Sequence, residues 1–299
     1  MEKGWYLIID VAKCENCNSC VVVTKDEYIG NNFPGYSAPQ PKHGHNWIRI
    51  QRKVRGSAPM VDAAYLPTTC NHCDDAPCVR AGGGKAVVKR EDGIVIVDPV
   101  HAKGRRDLVA ACPYDAIWWN EELELPQIWS FDAHLLDAGW TQPRCVQSCP
   151  TQAMQSLKAN PEEIAETARV DRLQVLQPEL GTRPRVLYKN LHRFTAAFVG
   201  GKAVVEEAGI RECVSGASAL LKKNGKELAR TETDVFGEFK FDGLVCDSGV
   251  YTVELAHARY GRARVEACLG DSRYLGAIEL LPITHRVTGA EGQPQRQLS

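Results

Sequence analysis

Nine of the twelve cysteines fall between Cys14 and Cys149, and their intervals are those of thiolate ligands. Cys14-Glu15-Asn16-Cys17-Asn18-Ser19-Cys20 is a C-x2-C-x2-C run, and Cys70-Asn71-His72-Cys73-Asp74-Asp75-Ala76-Pro77-Cys78 carries a second group of three. Three thiolates this close wrap one corner set of a cubane cluster. In two-cluster ferredoxins the fourth ligand comes from a Cys-Pro far along the chain. Two such cysteines are present, Cys149-Pro150 and Cys112-Pro113. Two [4Fe-4S] sites follow, one from Cys14, Cys17, Cys20 and Cys149 and one from Cys70, Cys73, Cys78 and Cys112. Two C-x2-C pairs would also suit a tetrahedral zinc. The third cysteine in each group and the two Cys-Pro pairs favour iron and sulfur.

The absent ligands are as informative. A complete four-cysteine motif would continue C-x3-C from Cys20, where Thr24 stands, and from Cys78, where Gly82 begins a triple glycine. Upstream of Cys112 the partner positions hold Ala102, Arg105 and Leu108. Upstream of Cys149 they hold Trp129 and Asp132, with only Cys145 retained. Thr24, Trp129, Asp132 and Cys145 therefore read as the remnant of a lost cluster. One thiol cannot hold a cubane, and Trp129 is expected to fill part of the vacated volume, since a cavity would be costly. His72 lies inside the second motif but is read as an exposed or hydrogen-bonded histidine. His43, His45 and His134 lack metal-ligand spacing with a third partner. Cys213, Cys246 and Cys268 are far from every motif and are expected to be small buried hydrophobes.

The elements that must position these thiols are short. Tyr6–Val11 and Gly93–Val97 are strand-like and each lies near a cysteine group. A helix should start at Asn160, with Pro161 at its first position and Glu162 and Glu163 in the first turn. It should end before Asp171-Arg172, and Pro178–Arg185 should be extended because residues before proline avoid helix. From about Ala196 the pattern alternates with period two. Asn224-Gly225 marks a two-residue hairpin turn between Ala217–Leu221 and Glu227–Thr233. Phe239 and Phe241, and Tyr251, Val253 and Leu255, should each line a buried face. The fold class expected is α+β. A ferredoxin-like double-motif domain (1–157) precedes a helical and extended connector (158–195) and an antiparallel β-sandwich of immunoglobulin-like or transthyretin-like type (196–299).

Composition is that of a globular chain: 299 residues, 44% hydrophobic, 24% charged, net charge -1. No basic footprint points to nucleic acid. No apolar run nears the roughly 18 residues of a membrane span, and the first residues lack a signal peptide's apolar stretch. A cytoplasmic chain without membrane or nucleic-acid partners is expected. Gly82-Gly83-Gly84 lacks the Lys-Ser/Thr of a phosphate loop. No active site of its own is expected.

The chain resembles the iron-sulfur subunits of the dimethyl sulfoxide reductase family of molybdenum enzymes, and among them those serving polyphenol hydroxylases and transhydroxylases of the pyrogallol/phloroglucinol or resorcinol type. The likeness rests on Ile9–Cys14, Glu91–Val95, Cys112-Pro113-Tyr114, Trp119–Glu122, Ala133–Leu136, Pro178–Thr182 and Phe236–Phe241. It implies an electron-transfer subunit in a heterodimer, or a higher assembly of heterodimers. The large catalytic partner would carry molybdenum and two pterin guanine dinucleotides. The same two thiol quartets match the family's ligands, while Thr24, Trp129 and Asp132 depart from its third cluster. Against this stand two other readings, a free-standing ferredoxin-like carrier and a protein whose clusters only brace the fold. Arg183, Arg185 and Lys189 are candidates to meet an acidic surface of the partner, or to be solvated. Trp118 and Trp119 read as core or interface.

Overall fold

The computed structural model describes residues 3–281, so the last eighteen residues of the expected sandwich lie outside the described residues. The chain forms two compact units, one from the start to Val54 with Asp62–Thr195, the other from Arg55–Val61 with Ala196 onward. Strands predominate and the helices are few and mostly short.

In the first unit β1 (Gly4–Asp10) is followed by α1 (Ser19–Tyr28), the hairpin β2 (Arg49–Ser57) and β3 (Met60–Thr68), whose Arg55–Val61 portion belongs to the second unit, and α2 (Pro77–Ala81). The small ladder β4 (Val87–Lys89) and β5 (Val95–Val97), α3 (Asp107–Ala110), and the ladder β6 (Trp118–Asn120) and β7 (Leu125–Gln127) come next. After α4 (Ala133–Asp137) and α5 (Arg144–Gln147), β8 (Met154–Ala159) leads into α6 (Pro161–Asp171), β9 (Val186–Lys189) and α7 (His192–Thr195). β1 is the middle strand of three, antiparallel to β8 and parallel to β9. Its alternation is that of a strand covered on both faces. Leu7 and Ile9 join a core with Tyr28, Trp129, Phe131 and Tyr188, while Tyr6 packs with Ala159, Ile164 and Leu187.

α6 starts where its capping residues require. The Asn160 side chain accepts from the backbone N–H groups of Glu162 and Glu163, and the Glu163 carboxylate accepts from the Asn160 N–H. This reciprocal cap satisfies donors that a helix start leaves open. The helix includes Asp171 and stops at Arg172, which is left-handed at φ 53°, one residue beyond the expected end.

The stretch expected to link two domains is instead woven into the first unit. Val186–Lys189 is an edge strand of the central sheet, and Arg185 pairs with Asp74 while its guanidinium covers the Tyr6 ring. Lys189 pairs with Asp171. Gly93, at φ +86°, has the Arg185 guanidinium where a Cβ would stand, so this approach depends on glycine.

The second unit holds β10 (Ala197–Glu207), β11 (Ile210–Cys213), β12 (Ser218–Lys223), β13 (Lys226–Glu232), β14 (Glu238–Leu244), β15 (Gly249–His257), β16 (Gly261–Leu269) and β17 (Arg273–Glu279). One four-stranded sheet is built on β10 with β11, β14 and β17, and the other runs β13-β12-β15-β16. The two share one apolar core that includes Val199, Leu221, Phe239, Phe241, Tyr251, Val253 and Leu255. Asn224 and Gly225, at φ 51° and 77°, make the tight turn between β12 and β13. The unit is not wholly antiparallel, because β17 runs parallel to β10.

The three cysteines of this unit are not the buried hydrophobes expected. Cys213 and Cys268 are exposed and Cys246 is half-buried. Cys213 sits on a strand with every side chain exposed, and Cys268 points outward between the buried Ala267 and Leu269. Strand parity, rather than residue type, decides the exposure of Cys268, whereas the Cys213 strand is exposed along its whole length.

Arg55 is the large polar group of this unit's interior. Its fully buried guanidinium donates to both carboxylate oxygens of Asp242, at 2.8 and 3.0 Å, and to the Ala196 carbonyl at 3.1 Å. Asp242→Ala strands a buried charge and should lower the stability of the full chain by about 3 kcal/mol in urea titration. Removing the exposed Glu227 partner of Arg230 should leave the midpoint in place.

Candidate metal centre

Cys14 and Cys17 lie in the loop after β1, and Cys20 opens α1. Asn16 and Asn18 are left-handed, at φ 59° and 61°, a conformation asparagine tolerates better than most residues. That turn directs the Asn16 backbone N–H at the Cys14 sulfur. The second loop repeats it. His72, two residues after Cys70 as Asn16 is after Cys14, is left-handed at φ 46° and its backbone N–H meets Cys70.

The two Cys-Pro segments are a second matched pair. Gln152 and Asp115, each three residues after its cysteine, are left-handed at φ 53° and 51°. The Ala153 N–H donates to Cys149 Sγ at 3.2 Å. Backbone donors aimed at sulfur stabilise thiolate charge, which is how a protein tunes a bound cluster.

The structure brings each expected quartet together. Cys20 feels the charges of Cys14, Cys149 and Cys17, and burial together with them pushes its thiol up to about 12. Cys70 likewise feels Cys78, Cys112 and Cys73, and burial holds it well above the ordinary thiol range. Cys78, raised to about 11 by burial, is coupled to Cys112 and Cys73. No disulfide joins any of them. Among the described residues no trio of His, Cys, Asp or Glu is drawn tightly enough for a single metal ion; a cubane instead carries its thiolates on separate iron corners. Eight gathered thiols with N–H groups turned toward them fit two such clusters by donor chemistry.

Thr182 is a positioning residue that the sequence does not reveal. Its side chain bonds to Cys73 and lies 2.6 Å from the Tyr114 hydroxyl. The adjoining backbone accepts from Asp74 and Asp75 at 2.9 and 3.0 Å. The motif's own spacing carries no sign of a residue more than a hundred positions away.

Thr24, Trp129, Asp132 and Cys145 are also together, deep in the core. Trp129 and Asp132 are fully buried. Asp132 Oδ1 accepts from Trp129 Nε1 and from the Tyr28 hydroxyl, both at 2.9 Å, and Oδ2 accepts from the Arg144 N–H at 2.8 Å. Burial pushes the Asp132 carboxyl above its ordinary range, against these donors. Thr24 Oγ1 donates to the Cys20 carbonyl at 2.8 Å, and Cys145 is buried beside Asp132 and Cys20. Tyr28 and Ser130, whose hydroxyls are 2.9 Å apart, complete this group. Cys20, Thr24 and Tyr28 recur every four residues, a spacing that puts Tyr28 on the same buried helix face but does not reveal Asp132 opposite it.

His72 is buried rather than exposed. Its Nδ1 accepts from the Val95 N–H at 3.0 Å, which places the proton of a neutral ring on Nε2. Burial, with Lys89 and Arg185 nearby, pushes it down to about 3. His134 contacts Glu27 at 2.9 Å and stacks on Phe33, and His45 stacks on Trp118.

In the metal-free chain the buried thiols should react slowly with iodoacetamide. A rise from the ordinary 9.0 to about 12 leaves Cys20 with roughly a thousandfold less thiolate at neutral pH. Peptide mapping after brief alkylation should find the exposed Cys17 modified well before Cys20, Cys70 and Cys145.

Residues 61–158 match the 4Fe-4S dicluster domain family. The pyrogallol hydroxytransferase small subunit of Pelobacter acidigallici is 46% identical over 254 residues, covering 84% of this chain and 90% of that one. A tetrathionate reductase subunit of Salmonella typhimurium is 36% identical over 62% of this chain and 72% of its own. A putative dimethyl sulfoxide reductase iron-sulfur subunit of Halobacterium salinarum is 30% identical over 62% and 78%. With two gathered thiol quartets and a near full-length match to the first of these, the chain belongs to the pyrogallol hydroxytransferase small-subunit family, among the iron-sulfur subunits of dimethyl sulfoxide reductase-type molybdenum enzymes.

Proposed function

We propose that this chain is the electron-transferring small subunit of a two-subunit molybdopterin enzyme that hydroxylates or transhydroxylates a polyphenol, and that it holds two [4Fe-4S] clusters. Cys14, Cys17, Cys20 and Cys149 bind the first, and Cys70, Cys73, Cys78 and Cys112 the second. The observation that carries this reading is the convergence of each three-cysteine loop on one distant Cys-Pro. The chain's 46% identity to a small subunit named for pyrogallol supports the polyphenol class. Ring chemistry belongs to the molybdenum and its two pterin guanine dinucleotides in the large subunit.

When bound, the clusters supply one-electron transfer. The residues of this chain do the rest. Eight thiols give up their protons on binding, so loading of Cys20 and Cys78, raised to about 12 and about 11, releases protons and is favoured as pH rises. Asn16, His72 and Ala153 donate backbone N–H groups to Cys14, Cys70 and Cys149. Thr182 bonds to Cys73, and apolar side chains pack around Cys70, Cys73 and Cys78 of the second quartet and around Cys20 of the first.

Iron analysis of the loaded chain should give about 8 iron atoms per chain, and a value near 12 would refute the two-cluster assignment. Cys149→Ser should halve the iron and remove one electron paramagnetic resonance signal, whereas Cys145→Ser should keep both. Expressed with its genomic neighbours, the chain should elute with a much larger molybdenum-containing subunit; elution alone would favour a free-standing carrier.

A further inference from the structure

Resting on that ligand assignment, we infer that the buried group formed by Tyr28, Asp132 and Trp129 is an electron relay joining the two thiol quartets. It starts at the first quartet on the face of α1. Cys20 is a proposed ligand, its carbonyl accepts from Thr24 Oγ1 at 2.8 Å, and Tyr28 lies one turn further along the same buried face. The Tyr28 hydroxyl donates to Asp132 Oδ1, and the same oxygen accepts from Trp129 Nε1, each at 2.9 Å. The indole then meets the ring of His72 edge-to-face at 5.8 Å between centroids, and Phe131 stacks on the indole at 4.9 Å and meets His72 at 5.3 Å. His72 sits in the loop between Cys70 and Cys73, two proposed ligands of the second cluster.

The group thus links one quartet to the other through the backbone of α1, two hydrogen bonds and closely packed rings, with no solvent-exposed member. Two of its members, Trp129 and Asp132, stand where a complete motif would place cluster ligands. Plain apolar packing would fill that volume without burying a carboxylate, which is costly even when bonded. A carboxylate clamped by an indole and a phenol maintains a coupled path that aliphatic side chains lack. His72 Nε2 has no hydrogen-bond partner among the described residues, and its ring packs edge-to-face on both Trp129 and Phe131. The transfer takes one electron from the more reducing cluster, oxidising it by one, and reduces the other by one. No bond forms or breaks, no proton moves, and neither Trp129 nor Tyr28 is itself oxidised.

The test uses the full chain loaded with iron and sulfide. A laser flash generates a viologen radical that reduces the chain by one electron, and freeze-quench electron paramagnetic resonance follows redistribution between the two cluster signals. Tyr28→Phe removes only the hydroxyl, and Trp129→Leu removes the ring and its N–H. Each should slow redistribution by an order of magnitude while iron content and both midpoint potentials stay at the parent values. A merely structural role would shift potentials or lose iron instead. Where Trp129→Leu fails to load, Tyr28→Phe decides. A parent chain with a single cluster signal refutes the ligand assignment beneath the proposal. Two signals with parental redistribution in a loaded variant overturn the relay alone.

Discussion

The constraint on which the first unit depends is the cost of gathering four thiols. Isolated cysteines in a core are inert, but four in one place must ionise together to bind metal, and each thiolate opposes the next. Burial and mutual repulsion push Cys20 up to about 12 and Cys78 to about 11, so the metal-free fold holds these two sulfurs as neutral thiols. The order around them is held by the backbone. Matching left-handed residues at Asn16 and His72, and again at Gln152 and Asp115, bend the chain at the same step in each motif. Such bends stay in place only when the surrounding structure over-determines them. The central sheet does so for the first quartet, with β1 delivering Cys14 and β8 following Cys149. The backbone bonds from Asp74 and Asp75 to residues 182 and 183 do so for the second.

The same economy explains the buried group around Asp132. Metal bonds replace apolar burial wherever they form, so losing ligands removes both a charge centre and a packing element. Trp129 supplies volume and a donor at once, and its fully buried ring stacks on Phe131. Asp132 would be a liability alone. With an indole N–H, a phenol hydroxyl and a backbone N–H on its two oxygens, its lone pairs are answered. The arrangement is specific: each donor fixes the rotamer of its own side chain, and removing one leaves a buried acceptor short.

How much of this was legible in the sequence depends on how local the signal is. The thiol spacing names all eight proposed ligands, because loop motifs encode their geometry within a few residues. The Asn160 cap and the Asn224-Gly225 turn are equally local, and both occur where expected. Val186–Lys189 reads as part of an extended linker because proline and charge dominate its approach. Its place beside β1 comes from a parallel pairing across about 180 residues, which no short window contains. Cys268 fails for a different reason. Composition suggests burial, but one step along a strand inverts the face, and the register of β16 against β15 puts Cys268 outside.

Thr182 and Tyr28 show why site residues outside a motif are the hardest to read. Neither is a ligand, and neither type is unusual where it stands. Tyr28 gains meaning only with Cys20 and Thr24 on one helix face, and then only if Asp132 is known to lie opposite. A polar residue replacing a ligand is therefore better evidence than an apolar one. Alanine at position 102 and leucine at 108, where a four-cysteine pattern would place ligands, are fully buried in apolar packing. Aspartate at 132 says more, because an acid in a core must find donors or be eliminated. That demand points from the sequence toward partners such as Tyr28 and Trp129, which answer the carboxylate here.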